Sequence, residues 1–199
     1  MRISKCGWSL LVAVCLMPGL EAWAQTGGSA GYTAPLVDVS LTYTPMLANV
    51  TTGNGFTMQG GSAEVYGQFW RNLGAAADIT GLHTGSMNTS TVGLDLVAIS
   101  FGPRYAWTHN RFDVFGQVLA GEAIGMNSTF PSAQGVNSSA NSLALELGGG
   151  VNRALSKHLS LRLIELDLLR TQLPNANTNV QNNLKCSTGL VFRIRTKHE

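Results

Sequence analysis

Val37-Asp38-Val39-Ser40-Leu41-Thr42-Tyr43-Thr44 places an apolar side chain at every odd position and a polar one at every even position. Strand side chains alternate between two faces, so this octet makes a ribbon that is oily on one side and wet on the other. Working outward from it, the same period recurs. Ala63, Val65, Gly67 and Phe69 alternate with Glu64, Tyr66, Gln68 and Trp70, and Arg71-Asn72 turns the chain tightly into Leu73, Ala75, Ala77 and Ile79 against Asp78 and Thr80. Val97, Ile99, Phe101, Pro103, Tyr105 and Trp107 oppose Ser100, Gly102 and Arg104, and Thr108-His109-Asn110 makes the next tight turn.

The fifth stretch, Arg111 to Ala123, fits two phases; the row Phe112, Val114, Val118 and Ala120 is assigned to the oily face in preference to Phe115, Gln117 and Leu119. Leu143, Leu145, Leu147 and Val151 then oppose Glu146 and a glycine run, and residues 154–157 form a third short turn. In the seventh stretch Leu159, Leu161 and Leu163 oppose Ser160 and Arg162, after which Glu165 and Asp167 fall out of phase. A β-bulge near Ile164 restores it. The eighth sets Leu184, Cys186, Thr188, Leu190, Phe192 and Ile194 against Lys185, Ser187, Gly189 and Arg193. Eight strands whose connectors go long, short, long predict an all-β fold: an eight-stranded antiparallel up-and-down transmembrane β-barrel over residues 36–194, with short periplasmic turns and long extracellular loops.

Alternation alone does not tell a membrane barrel from a soluble one that keeps its oily row inside. The polar row decides. It carries Asp38, Glu64, Asp78, Arg104, Glu146, Arg162, Lys185 and Arg193, both signs in comparable number, as an internal network of mutually neutralised charges would. A soluble barrel would spread Lys and Glu over its exterior, yet charged residues are only 12% of this chain against a usual share of about a quarter. Tyr43, Phe69, Tyr105, Trp107, Phe112 and Phe192 suit aromatic girdles at the membrane interfaces. The long connectors, near 48–60, 83–93, 125–141 and 171–183, contain no Asp, Glu, Lys or Arg.

Arg2 and Lys5, an apolar run from Trp8 to Met17, and Ala22-Trp23-Ala24 have the layout of a signal peptide over residues 1–24, with cleavage expected after Ala24. Val14 precedes Cys15 where lipoprotein processing wants a small residue, so lipidation is not expected. Residues 25–35 are expected to be a periplasmic leader and 195–199 a short tail. Losing the signal peptide removes Cys6 and Cys15 and leaves Cys186 alone, so no internal disulfide is expected. A formal net charge of +2 supplies no basic field, which excludes nucleic acid as a partner.

An eight-strand barrel is just wide enough for side chains to fill it. Buried carboxylates there need cationic partners, and pairs drawn from Glu64, Arg104, Glu146, Arg162 and Lys185 form the expected lumen charge network, structural or gating in role. The exported leader, the eight strands and that polar core resemble the OmpA-like family of small outer-membrane β-barrels, across nearly all of residues 36–194. Lys185-Cys186-Ser187-Thr188-Gly189-Leu190-Val191-Phe192-Arg193-Ile194 is the strongest local match and resembles the signal that barrel-assembly machinery reads; in the family it usually ends the chain, whereas Arg195 to Glu199 follow here. Larger family members append a peptidoglycan-binding domain, so a cell-wall tether is not expected. Pro45 departs from a regular spanning strand by lacking a ladder donor, which predicts fraying or a bulge in the upper part of the first strand. The resemblance implies contact with outer-membrane lipid and lipopolysaccharide, and a monomer.

Some small barrels resembling this one modify lipid A, an activity that requires catalytic side chains. His158-Leu159-Ser160 has the spacing of two side chains on one strand face, but it follows a short periplasmic turn while lipid A occupies the outer leaflet. It reads as a turn residue and a strand start. His83 and His109 offer no metal-ligand spacing. Gly148-Gly149-Gly150 lacks a following Lys-Ser/Thr and opens no helix, so close packing explains it better than phosphate binding. Asp95, Glu122 and Asp167, with Arg170, are candidates for an external rim that meets divalent cations, with solvated strand ends as the plainer reading. Four Asn-x-Ser/Thr triplets, at Asn49, Asn88, Asn127 and Asn137, arise by chance in loops so rich in these residues. No catalytic residue, metal or cofactor is expected. The favoured function is non-enzymatic: envelope structure or surface interaction through uncharged loops, with no external ligand identifiable. A narrow gated channel and a lipid A-modifying enzyme are the alternatives.

Overall fold

A computed structural model describes residues 37–50, 55–87, 92–133, 135–175 and 179–194. The expected signal peptide, leader and tail lie outside the described residues. Eleven strands run in chain order: β1 (Val37–Tyr43), β2 (Met46–Ala48), β3 (Phe56–Trp70), β4 (Leu73–Thr84), β5 (Leu94–His109), β6 (Phe112–Met126), β7 (Phe130–Ser132), β8 (Gly135–Asn137), β9 (Ala140–Ala154), β10 (Leu159–Thr171) and β11 (Gln181–Ile194). β7 and β8 form a separate two-stranded hairpin in an external connector. The other nine make one antiparallel sheet that closes on itself, because β1 pairs with both β3 and β11 and β2 does the same. β1 and β2 together are one barrel strand, so the closed barrel has eight.

The break between them is the work of Pro45. Thr44 still donates its backbone N–H to Gly60 (2.9 Å) and Pro45 still accepts from Cys186 N–H (3.0 Å), but proline has nothing to donate and the ladder lapses before Met46 pairs with Met58. The inward phase survives the interruption: Ser40, Thr42, Thr44, Met46 and Ala48 are all buried. β10 carries the anticipated bulge. Arg162 pairs with Gly189 and Asn152, yet three residues later Glu165 pairs with Ser187 and Gly150, so the shift is seen by both neighbours. Leu163 and Ile164 both face outward, and Glu165 and Asp167 turn in.

In β6 the outward row is Phe112, Val114 and Val118, while Phe115 and Leu119 are buried. Lipid-facing side chains such as Phe101, 72% exposed, encircle the barrel, together with Leu41, Val65, Ile99, Leu147 and Leu190. The expected girdle is one-sided. Phe69, Trp70, Tyr105, Trp107, Phe112 and Phe192 gather near the short-turn end, whereas Tyr43 lies at the last residue of β1 and donates to Gln59 (3.1 Å). Strand ends also extend further outward than the alternation indicates. The connectors are residues 49–55, 85–93, 127–139 and 172–180, narrower than the expected 48–60, 83–93, 125–141 and 171–183. Strands of up to 16 residues exceed the roughly 9–11 that cross a bilayer. Above the membrane the outward row need not be apolar, so Gln59 or Asn182 can extend a strand without an alternating signature.

Two short turns have two-residue loops, between Trp70 and Leu73 and between His109 and Phe112. Each uses a left-handed residue, Arg71 (φ 46°) and Asn110 (φ 56°). Asn tolerates that region because its short side chain bonds locally, whereas a plain Cβ does not. Asn110→Ala is therefore expected to lose about 1 kcal/mol and Asn110→Gly much less, measured by urea unfolding in lipid vesicles; equal losses would remove this account of the turn.

Candidate functional site

The barrel interior is stacked in layers. Nearest the short turns, Arg193 of β11 pairs with Asp113 of β6. Above it, Glu64 of β3 lies between two guanidinium groups: Arg104 of β5, and Arg162 of β10 at 2.9 Å. Arg162 also holds Glu165 at 2.8 Å and donates through Nε to Asn152 (3.1 Å). Gln117 ties the layer to the next, accepting from Arg104 Nε (3.0 Å) and donating to Glu165 and Asp167 (3.1 Å each). The Phe115 ring receives Arg104 at 4.1 Å and Arg162 at 4.9 Å from its centre, and Tyr66 faces Arg104 at 5.2 Å. Such cation–π contacts place the poorly hydrated guanidinium group against carbon where water is excluded.

A second ionic layer centres on Lys185 of β11, whose ammonium meets Glu146 (2.5 Å), Asp78 (3.6 Å) and the Thr80 hydroxyl (3.3 Å). Thr80 in turn donates to Asp78 (2.6 Å). A hydroxyl chain, Ser62, Thr42, Thr44 and Ser187, links three strands at 2.9–3.1 Å. Toward the outside the lumen turns apolar: Leu82, Leu96, Ala98, Ala123, Ala144 and Leu169 are buried together. Every residue expected in the lumen charge network is therefore inside, split between two clusters: Glu64 with Arg104 and Arg162, and Glu146 with Lys185.

The network is larger than those five. Glu165 joins because the bulge turns it inward, and Asp167 lies in the lumen instead of at the external rim. Seven buried carboxylates (Asp38, Glu64, Asp78, Asp113, Glu146, Glu165, Asp167) share the interior with four buried cations (Arg104, Arg162, Lys185, Arg193), so the near balance of signs expected for the polar row does not hold. The glycine run makes room for them. A Cβ on Gly148 would collide with the Asp167 carboxylate, and one on Gly150 would come within 2.9 Å of the Phe115 ring.

Elsewhere the candidate chemistry does not assemble. His158 precedes β10 and reaches the Arg193 carbonyl (3.2 Å), while Ser160 is wholly buried in the lumen with no partner for its hydroxyl among the described residues. They do not share a face, because His158 is still in the turn. At the external rim His83 and Asn127 both meet Asp95, and Asn141 donates to Glu122 (2.7 Å). Among the described residues no three His, Cys, Asp or Glu side chains are placed to hold a metal ion.

No protein-family profile matches the chain, and no curated protein does. Solved structures do. The attachment invasion locus protein Ail of Yersinia pestis is 14% identical, covers 81% of this chain and 100% of its own, and superposes with a TM-score of 0.56. Neisserial surface protein A is also 14% identical, with 79% and 97% covered and a TM-score of 0.57. At that identity the likeness concerns the fold, that of a small outer-membrane barrel. With the encircling apolar belt and the filled, ionic interior, it makes this chain an integral protein of the bacterial outer membrane.

Proposed function

We propose that the protein is a closed, non-enzymatic barrel of the OmpA-like type that serves envelope structure and surface contact, with its external loops as the working surface. The observation that carries this reading is the interlocked layer of Glu64, Arg104, Arg162 and Glu165, which spans the bore from three strands and is capped by the apolar cluster above. Ions crossing it would have to part buried pairs, each worth several kcal/mol to disrupt, and then pass a layer whose mostly apolar side chains replace little of their water. The loops above carry no Asp, Glu, Lys or Arg between residues 127 and 139 or 172 and 180. They therefore favour partners recognised by neutral hydrogen bonding, such as glycans or protein backbone. Lipid and lipopolysaccharide surround the belt, the last strand β11 serves as the handle for barrel-assembly machinery, and the protein works as a monomer.

Planar-bilayer recording tests the closed state. The full chain is expected to give no steady single-channel steps. Steps that vanish or shift with Glu146→Gln or Arg104→Gln would overturn this reading in favour of the gated channel, and a change in lipid A mass on expression would replace it with an enzyme.

A further inference from the structure

Above the apolar layer, where the external connectors converge, the lumen opens into a cavity of about 260 Å³. Its inner wall is Met46, Met58, Leu94, Leu96, Phe130 and Leu173, all buried. Its outer wall is neutral: amides and hydroxyls that include Asn49, Thr171, Gln181 and Asn183. Among the described residues, no Asp, Glu, Lys, Arg or His lines it. Folding normally closes apolar space inside a small barrel, since each unfilled volume forfeits packing. Here the lining residues bond to one another around the space. Gln181 accepts from Thr171 Oγ1 and from the Leu173 N–H (3.0 Å each) and donates to the Leu173 carbonyl (2.8 Å), while Asn183 accepts from the Asn49 N–H (2.8 Å). Those bonds fix the segment carrying Leu173 as one side of a built wall.

We infer that this external cavity is a binding site for a small uncharged molecule with an apolar body. Size sets the body: an apolar cavity of about 150 Å³ holds a benzene, so this one takes roughly ten non-hydrogen atoms. Charge sets the class. A carboxylate, phosphate or ammonium group entering it would lose its water and meet no counter-ion, which disfavours phosphorylated lipid as well as free ions. Met46, Met58 and Met87 in the wall can adapt to different shapes, as flexible thioethers do. The site is a dead end: beneath it lie the apolar cluster and then Thr80 and Lys185. It therefore binds and does not conduct, and its failure would leave the bilayer result above untouched.

Indole, neutral with nine non-hydrogen atoms and one N–H, is a suitable probe. It is titrated into the full chain in lipid nanodiscs while the methionine methyl resonances are followed. Saturable shifts at Met46, Met58 and Met87 are expected, with Kd on the order of 1 mM or tighter. Met126, outside the cavity lining, reports simple partition into lipid. Indole-3-carboxylate is expected to give no saturable shift, and Ala48→Phe, which fills the cavity, to abolish indole binding while heat-modifiable mobility shows the barrel intact. Non-saturable shifts, shifts equal to those at Met126, or an equal response to the carboxylate would each overturn the inference.

Discussion

Arg162→Ala is expected to cost about 3–5 kcal/mol of unfolding free energy in lipid vesicles, the range for removing one partner of a fully buried ion pair. The side chain is 1% exposed and holds Glu64 at 2.9 Å, Glu165 at 2.8 Å and Asn152 at 3.1 Å. Truncation leaves Glu165 with only a distant guanidinium, Arg104 at 4.0 Å, and one amide from Gln117. Two effects compete in the estimate. The pair's own attraction is largely cancelled by the desolvation of its members, so its net worth is small; the uncompensated charge left behind is what makes the loss large. The double variant Arg162→Leu with Glu165→Leu separates them, because it removes a cation and a carboxylate together and leaves Glu64 with Arg104. It is expected to recover most of the loss. Arg71→Ala, which removes an exposed stacking contact on Trp70, is expected to cost under about 1 kcal/mol. Urea titrations of the three variants decide the matter: Arg162→Ala within 1 kcal/mol of the parent, or a double variant weaker than the single one, would mean that the ionic layer is not what holds the lumen together.

What the chain reveals about this interior follows from where its signals are strong. Inside the membrane band every lipid-facing position must be oily, so Leu41, Val65, Ile99, Leu147 and Leu190 declare their phase, and the polar residues between them are placed inward by default. Glu64, Arg104, Glu146, Arg162 and Lys185 are legible for that reason. Which carboxylate meets which cation is not, because pairing depends on barrel stagger: Glu64 meets Arg162 across 98 residues of sequence, and no local pattern encodes that offset. The external cavity is invisible for a different cause. Met46, Met58, Leu94 and Leu96 sit inward on strands whose membrane-embedded portions carry polar residues inward, so their apolarity runs against the alternation and reads as noise or as loop. The signal that marks them is this reversal itself: once a strand rises past the bilayer, apolar residues on the polar phase face a lumen that has changed character.

Asp167 shows the limit of phase reading most clearly. Read in strict alternation from Leu159, both Glu165 and Asp167 point to lipid, and only a one-residue bulge brings them in. That bulge makes a sharp pair of deletions. Between Arg162 and Glu165 the partners advance by two residues on each side, Gly189 to Ser187 on β11 and Asn152 to Gly150 on β9, while β10 advances by three. Removing Leu163 equalises the count. Arg162 stays inward, Ile164 faces lipid, Glu165 stays inward, and every other pairing is retained, so the variant is expected to reach the outer membrane and keep heat-modifiable mobility at close to the parental level. Removing Leu166, three positions on and chemically the same residue, has no such solution. If the bulge persists, Asp167 turns to lipid. If it is erased, Ile164 turns inward and Glu165 outward, away from the Arg162 guanidinium it now meets at 2.8 Å. Either outcome exposes a carboxylate to hydrocarbon and breaks part of the buried network, losses that together exceed several kcal/mol in a fold whose whole stability is about 5–15 kcal/mol. Assembly is expected to fall at least tenfold, read from the fraction of folded barrel in isolated outer membranes. Equal assembly of the two deletions would mean that strand register, and with it the inward placement of Glu165 and Asp167, is set by something other than the bulge.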